Sequence, residues 1–194
     1  MAEHRFIVVA YYTEKTLYEE YVPRLRDSMI MYKVPHHIQP ISNLGTWQAN
    51  TGYKPTFILE MMARYQTPFI VYVDCDAEFL RYPMLFDTLD ADIAVHLFKK
   101  NFNIPARRKE ILSGTIFMAN NDRVRGIVEQ WQKLCAEQPK VWDQRNLGQI
   151  IGENFHDLPG EYCAIFDRMN YIPFPIILHH QASRRVRKNS GVLA

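Results

Sequence analysis

The chain has 194 residues, of which 47% are hydrophobic, enough for one domain to bury a core without disulfides or a structural metal. A formal net charge of +2 argues against a general nucleic-acid binder and leaves only local basic patches open to that role. Cys75, Cys135 and Cys163 are an odd set without CxxC spacing, which argues against a disulfide framework or a cysteine zinc site and points to a reducing, cytoplasmic setting.

Residues 6–12 (FIVVAYY) are a continuous β-branched and aromatic run that reads as a buried parallel strand. The run is too short to span a bilayer and lacks the layout of a signal peptide, so no membrane insertion is expected. Thr13 is a candidate cap for a helix in which Leu17, Tyr21, Leu25, Ser28, Met29 and Tyr32 recur near helical spacing until Pro35. A second strand is expected at 37–41, and residues 43–53 (NLGTWQANTGY) read as a glycine- and asparagine-rich loop. Pro55 then opens a helix whose apolar face is Phe57, Ile58, Met61, Met62 and Tyr65.

The next strand, 69–73, runs straight into Asp74-Cys75-Asp76, with a third acid at Glu78. Further strands are expected at 92–97 and 115–119, a helix from Asp122 to about residue 137, and another helix beginning near Asp143. The last strand candidate, 176–178, leads directly to His179 and His180. The polar stretch 98–111 reads as a mobile loop between two strands. No repeat or linker interrupts the chain, so a single domain is expected over 1–194, ending in a basic segment, 184–194. Alternating strand and helix signals predict a Rossmann-like α/β domain with a mostly parallel sheet flanked by helices. In such sheets ligands bind beyond the carboxyl ends of the strands, where Tyr11-Tyr12-Thr13 and Asp74-Cys75-Asp76 both fall.

Residues two apart in an extended segment point the same way, so Asp74 and Asp76 reach one cation if the strand continues through them. A turn after Asp74 would also let them converge. Their oxygens suit Mn2+ or Mg2+, ions that keep positions open for water and substrate phosphate. The competing reading is a helix cap or surface salt bridges. An imidazole from the late segment can complete such a site. His179 and His180 should face opposite sides of an extended chain, so only one is expected to ligate, and spacing to Arg185 favours His179. The guanidinium forks of Arg184 and Arg185 suit diphosphate oxygens, while Arg187 and Lys188 fit either an anionic acceptor or a solvated tail.

Four segments carry a resemblance in common. VDCDAEFLRYP resembles the DxD segment of nucleotide-diphospho-sugar transferases of the GT-A fold. Residues 113–120 (SGTIFMAN) resemble the family's strand lining the donor sugar, and residues 142–151 (WDQRNLGQII) its D-Q helix start. ILHHQASRR resembles the late H-x-x-G-x-x-K segment, with Ala182 in place of the glycine and Arg185 in place of the lysine. Residues 113–120 and 142–151 resemble most the segments of the retaining, glycogenin- and galactosyltransferase-like group.

This resemblance implies a hexosyltransferase using a UDP-sugar and Mn2+ or Mg2+, with Asp74, Asp76 and His179 or His180 at the metal. Asp74 would contact ribose or metal, and Ser113 and Gly114 would line the donor. Tyr11, Tyr12, Thr13, Trp47, Asn50 and Lys54 would bind the nucleotide, and Arg184 and Arg185 the diphosphate. Asp143 and Gln144 would act at the donor sugar, although Asp143 is equally a candidate helix N-cap. An inverting enzyme would instead need a carboxylate base, for which Glu161 and Asp157 are candidates. The acceptor is left open between a saccharide, a protein and a modified nucleic-acid base. Two other readings compete: a sugar-phosphate nucleotidyltransferase, disfavoured because residues 10–20 contain no glycine, and a non-catalytic sugar-nucleotide-binding module.

Overall fold

A computed structural model describes residues 4–99 and 109–184. Strand β1 (Phe6–Thr13) is buried over nearly its whole length because it is an inner strand covered on both faces. The single helix expected next is two pieces, a 3-10 turn (Leu17–Tyr21) and α1 (Val22–Met31). Pro23 sits in the first turn of α1, where its missing amide costs no helical hydrogen bond. Thr13 is not the cap. It ends β1, and the Thr16 hydroxyl accepts from the Tyr18 amide while donating to the Thr13 carbonyl.

Strand β2 (His36–Ile41) lies parallel to β1. The expected loop at 43–53 contains a short helix, α2 (Trp47–Gly52), because the Thr46 hydroxyl accepts from the Ala49 amide and the Trp47 ring meets that of Trp142. Helix α3 (Lys54–Arg64) follows with Pro55 in its first turn, then β3 (Phe69–Val73).

The main sheet has the order β2-β1-β3-β6-β5-β7, with β5 (Ile93–Lys99), β6 (Lys109–Ala119) and β7 (His156–Asp157). The β1/β2, β1/β3 and β5/β7 pairs are parallel, whereas β6 runs antiparallel to both neighbours. The sheet is therefore mixed and largely parallel. Strands β5 and β6 extend well into the stretch read as a loop, and its remainder, with Arg107 and Arg108, lies outside the described residues, as does the basic segment from Arg185 onward.

Helices α4 (Asp122–Glu137), capped by the Asn121 side chain, and α5 (Asp143–Ile151) complete the cover. Phe57 and Met61 of α3, Trp131 of α4 and Leu147 of α5 join Phe6, Ile70 and Phe117 of the strands in one continuous buried cluster. Two features of this frame shape the functional face. First, β4 (Ala77–Phe79), β9 (Ile177–His179) and β8 (Ala164–Ile165) form a small second sheet in which Ala77 pairs with His179. Second, β6 breaks register with β5: Val95 opposes Ile116 but His96 opposes Leu112, so residues 113–115 bulge out of the ladder. No helix among the described residues is long and apolar enough to cross a membrane.

Candidate active site

Strand β3 stops at Val73, and the chain turns instead of continuing. The Asp74 amide donates to the Gly114 carbonyl at 2.9 Å and the Ala77 amide to the Asp74 carbonyl at 3.0 Å. The two aspartates converge through this turn, not through the same-side geometry of an extended strand. The small sheet then sets His179 beside them, so that ligand atoms of Asp74, Asp76 and His179 all lie within 4.8 Å of one another.

The donor set fits a divalent ion. Two carboxylates and an imidazole suit Mn2+ or Mg2+, and the His179 Nδ1, in a side chain only 3% exposed, makes no hydrogen bond and lies 3.6 Å from the Asp76 carboxylate. A buried polar atom left unpaired is costly, so a ligand is the natural complement of Nδ1. The other ring nitrogen, Nε2, lies 2.9 Å from the Thr115 hydroxyl, a contact that orients the imidazole from behind. Gly114 keeps the space clear: a Cβ there would come within 3.1 Å of His179 Cε1 and 3.4 Å of Asp74 Oδ2.

The carboxylates occupy unlike surroundings. Asp76 is buried, which by itself raises its pKa, but His179 and the amide of Ala182, which donates to Oδ2 at 2.7 Å, hold it below the usual carboxylate range. Asp74 opens towards solvent; partial burial raises its carboxyl against the opposing pull of Lys54, and the Asp76 charge adds to the rise. Burial lowers the His179 pKa, yet the neighbouring Cys163 and Asp76 outweigh it and push the imidazole up to about 10. A proton on His179 thus faces the Asp76 carboxylate.

His180, the alternative ligand, is turned away. Its Nε2 meets the Glu78 carboxylate at 2.7 Å and the Arg24 guanidinium at 3.2 Å, outside the cluster. Alternation along the strand sends the two histidines to opposite sides, as their adjacency requires. The left-handed backbone conformation of this segment falls on Gln181 (φ 55°), so Ala182, fully buried, fits where the resemblance led one to expect glycine.

A cavity of about 280 Å3 opens above the cluster, bordered by Tyr11, Tyr12, Thr13, Trp47, Asn50, Lys54, Ser113, Gly114, Asp143, Gln144 and Arg184. Several of these have duties other than those expected. The Tyr11 ring is packed against Tyr53 and Phe57 and its hydroxyl donates to the Asn50 carbonyl, so it offers no open face. The Asn50 side chain holds its own loop, accepting from the Leu44 amide and donating to Asn43. Arg184 is ion-paired with Asp167.

Lys54 differs most from expectation. It is 3% exposed and lies under the cavity floor, 3.1 Å from the Asp74 carboxylate and 2.8 Å from that of Asp143, and it also donates to the Ser113 carbonyl and hydroxyl. Burial lowers its pKa, but the two carboxylates more than reverse this, so it stays charged. Asp143 is the first helical residue of α5 and not its cap, a position taken by Trp142. Its carboxylate faces inward, accepting from the Ser113 hydroxyl at 2.9 Å. Gln144 accepts from the Ser113 amide at 3.1 Å and donates to Glu110 at 2.7 Å. Sequence reasoning passed over Glu110 and Trp142 as cavity residues, the former because it fell in the presumed loop. Asp157 is engaged with the Leu97 amide and His96, and neither it nor Glu161 borders the cavity.

The family model of the nucleotide-diphospho-sugar transferases matches residues 27–190. The chain belongs to this family. Among solved structures, this transferase is similar in fold to a glycosyltransferase involved in the glycosylation of the major capsid of PBCV-1. The TM-score is 0.67 at 13% identity, covering 96% of this chain and 99% of that one. It is also similar to the glycosyltransferase GlyE of Streptococcus pneumoniae TIGR4 in its apo form, with a TM-score of 0.64, 13% identity and coverage of 97% of this chain and 60% of that one. No curated protein sequence matches the chain. The α/β sheet of the transferase, flanked by helices, thus matches GT-A glycosyltransferase structures.

Proposed function

We propose that this transferase moves a sugar from a nucleotide-diphosphate sugar, a UDP-sugar in the first instance, to an acceptor hydroxyl in a metal-dependent reaction with retention at the anomeric carbon. The observation that carries the reading is the convergence of Asp74, Asp76 and His179 at the foot of a cavity walled by Ser113, Gly114 and Gln144. Those three side chains would hold Mn2+ or Mg2+, and such an ion supplies positive charge to the departing diphosphate.

The chain's own residues supply the remainder. Lys54 fixes Asp74 and Asp143 in one ionic net, so the metal side and the sugar side of the cavity are set by a single buried cation. Gln144, locked by the Ser113 amide, is held beside the donor sugar, where a rigid polar group stabilises developing charge without reorganising. Tyr12, Thr13 and Trp47 border the cavity and are assigned to the nucleotide, and Arg184, on exchanging Asp167 for phosphate oxygens, to the diphosphate. Asp143 is held by Lys54 and Ser113 and so is not the base of an inverting reaction; retention is proposed on the likeness of residues 113–120 and 142–151 to retaining transferases.

The test is calorimetric and kinetic. UDP should bind with Mn2+ and lose most of its affinity in EDTA, and UDP-sugar hydrolysis should follow the same metal dependence. Asp76→Ala should abolish the metal effect without unfolding the chain. Proton NMR of the product fixes the anomer. Unchanged metal response in Asp76→Ala would remove the site assignment.

A further inference from the structure

Beyond the bulge at 113–115, strand β6 leaves β3 and pairs only with β5, so residues 109–112 form an arm standing past the metal cluster. In the sheet order this arm is two strands removed from β1, the side assigned to the nucleotide. Glu110 sits on the arm and borders the cavity, three residues and thus roughly 10 Å of strand beyond Ser113.

The other cavity carboxylates are already engaged: Asp76 by His179 and the Ala182 amide, Asp143 by Lys54 and Ser113, Asp74 by Lys54 and the Tyr72 hydroxyl. Among the described residues Glu110 pairs with no cation and is held only through one oxygen, which accepts from Gln144 at 2.7 Å. Its second oxygen can accept another hydrogen bond. Trp142 borders the same cavity, 36% exposed, its ring set edge-on to Trp47 with centroids 6.0 Å apart and the Arg145 guanidinium 6.0 Å from its centre. A part-exposed indole lining one cavity with a carboxylate and a primary amide is complementary to a sugar ring, which presents an apolar C–H face and hydroxyls at its edge.

We infer that Glu110 and Trp142 form the acceptor subsite, and that the acceptor is the hydroxyl of an uncharged saccharide. Glu110 accepts the hydrogen bond of an acceptor hydroxyl, held in place by the Gln144 amide that also reaches the donor wall through Ser113. Trp142 carries the ring. A carboxylate at this point disfavours a phosphorylated acceptor by like-charge repulsion. The inference rests on the donor reading above, and its experiment separates the two.

The probes are UDP with Mn2+ for the donor side and methyl glycosides of glucose, galactose, mannose and N-acetylglucosamine, with the matching sugar 6-phosphates, for the acceptor side. UDP binding by the wild-type protein is measured first by calorimetry; its failure counts against the donor reading and leaves nothing for the subsite to serve. Given UDP binding, the wild-type enzyme should transfer to a methyl glycoside in preference to the phosphates. Glu110→Ala should then raise the acceptor KM about ten- to a hundredfold, the size expected for a lost hydrogen bond to a charged group. Glu110→Gln should fall between and Trp142→Ala should raise KM as well, and the UDP–Mn2+ Kd should stay within twofold in both Glu110 variants. Preference for the phosphates, transfer to none of the neutral glycosides while UDP binds, or an unmoved acceptor KM in Glu110→Ala would each overturn the subsite.

Discussion

Replacing Lys54 with methionine tests the ionic net beneath the cavity. Methionine keeps the length of the side chain but removes its charge and its donors to Asp74, Asp143 and Ser113. The Asp143 side chain is only 6% exposed, so its carboxylate would be left buried without a counter-ion. Removing one partner of a buried ion pair costs about 3–5 kcal/mol, because the survivor's desolvation is no longer compensated. For a chain of this size each kcal/mol lowers the melting temperature by about 2–4 °C, so the variant should melt about 6–20 °C below wild type. Against a typical total of about 5–15 kcal/mol that is a large fraction of the stability. Urea unfolding and differential scanning calorimetry read the change. The diagnostic step is the double variant Lys54→Met/Asp143→Asn, which removes the orphaned charge and should recover at least half the loss, since directly contacting residues couple strongly. A Lys54→Met variant within 1 kcal/mol of wild type, or a double variant that recovers nothing, would refute the electrostatic account and leave Lys54 as packing.

Two further outcomes follow from the metal cluster. Gly114→Ala places a methyl about 3.1 Å from the His179 ring, so the Mn2+-induced rise in melting temperature should shrink or vanish while far-UV circular dichroism is unchanged. In EDTA, His179 makes stability depend on pH. Its folded pKa is raised from 6.5 to about 10, so its contribution is full below about pH 6.5 and is lost as pH climbs through 10. The urea midpoint of the metal-free protein should decline across that window, and His179→Gln should flatten the decline. Because the same proton competes with the cation, Mn2+ affinity should rise with pH over the neutral range, measurable by titration calorimetry in buffers of differing ionisation enthalpy.

Much of the frame is local in origin and therefore visible in the sequence. The unbroken apolar runs at 6–12 and 69–73 mark strands buried on both faces, and Pro55 marks the start of α3, because strand and helix periodicities are written in consecutive side chains. Helix α2 escaped that reading: six residues held by one threonine cap and one aromatic contact have too little pattern to outweigh a glycine- and asparagine-rich composition. The aspartate pair at the end of β3, the candidate histidines and the Asp143-Gln144 helix start were likewise legible as chemistry-bearing groups at strand and helix ends.

What the sequence by itself determined, then, is which segments are strands or helices and which side chains have the right chemistry. Tertiary structure alone decided how they meet. The choice of His179 over His180 depends on pairing with Ala77, about a hundred positions earlier, and the engagement of Lys54 and Asp143 depends on α3 and α5 closing under the bulge of β6. The antiparallel direction of β6 and its arm carrying Glu110 are also long-range outcomes. The physical reason is that a side chain's facing is set by its own backbone, whereas its partner is set by the register of strands and the packing of helices, which depend on the whole core at once.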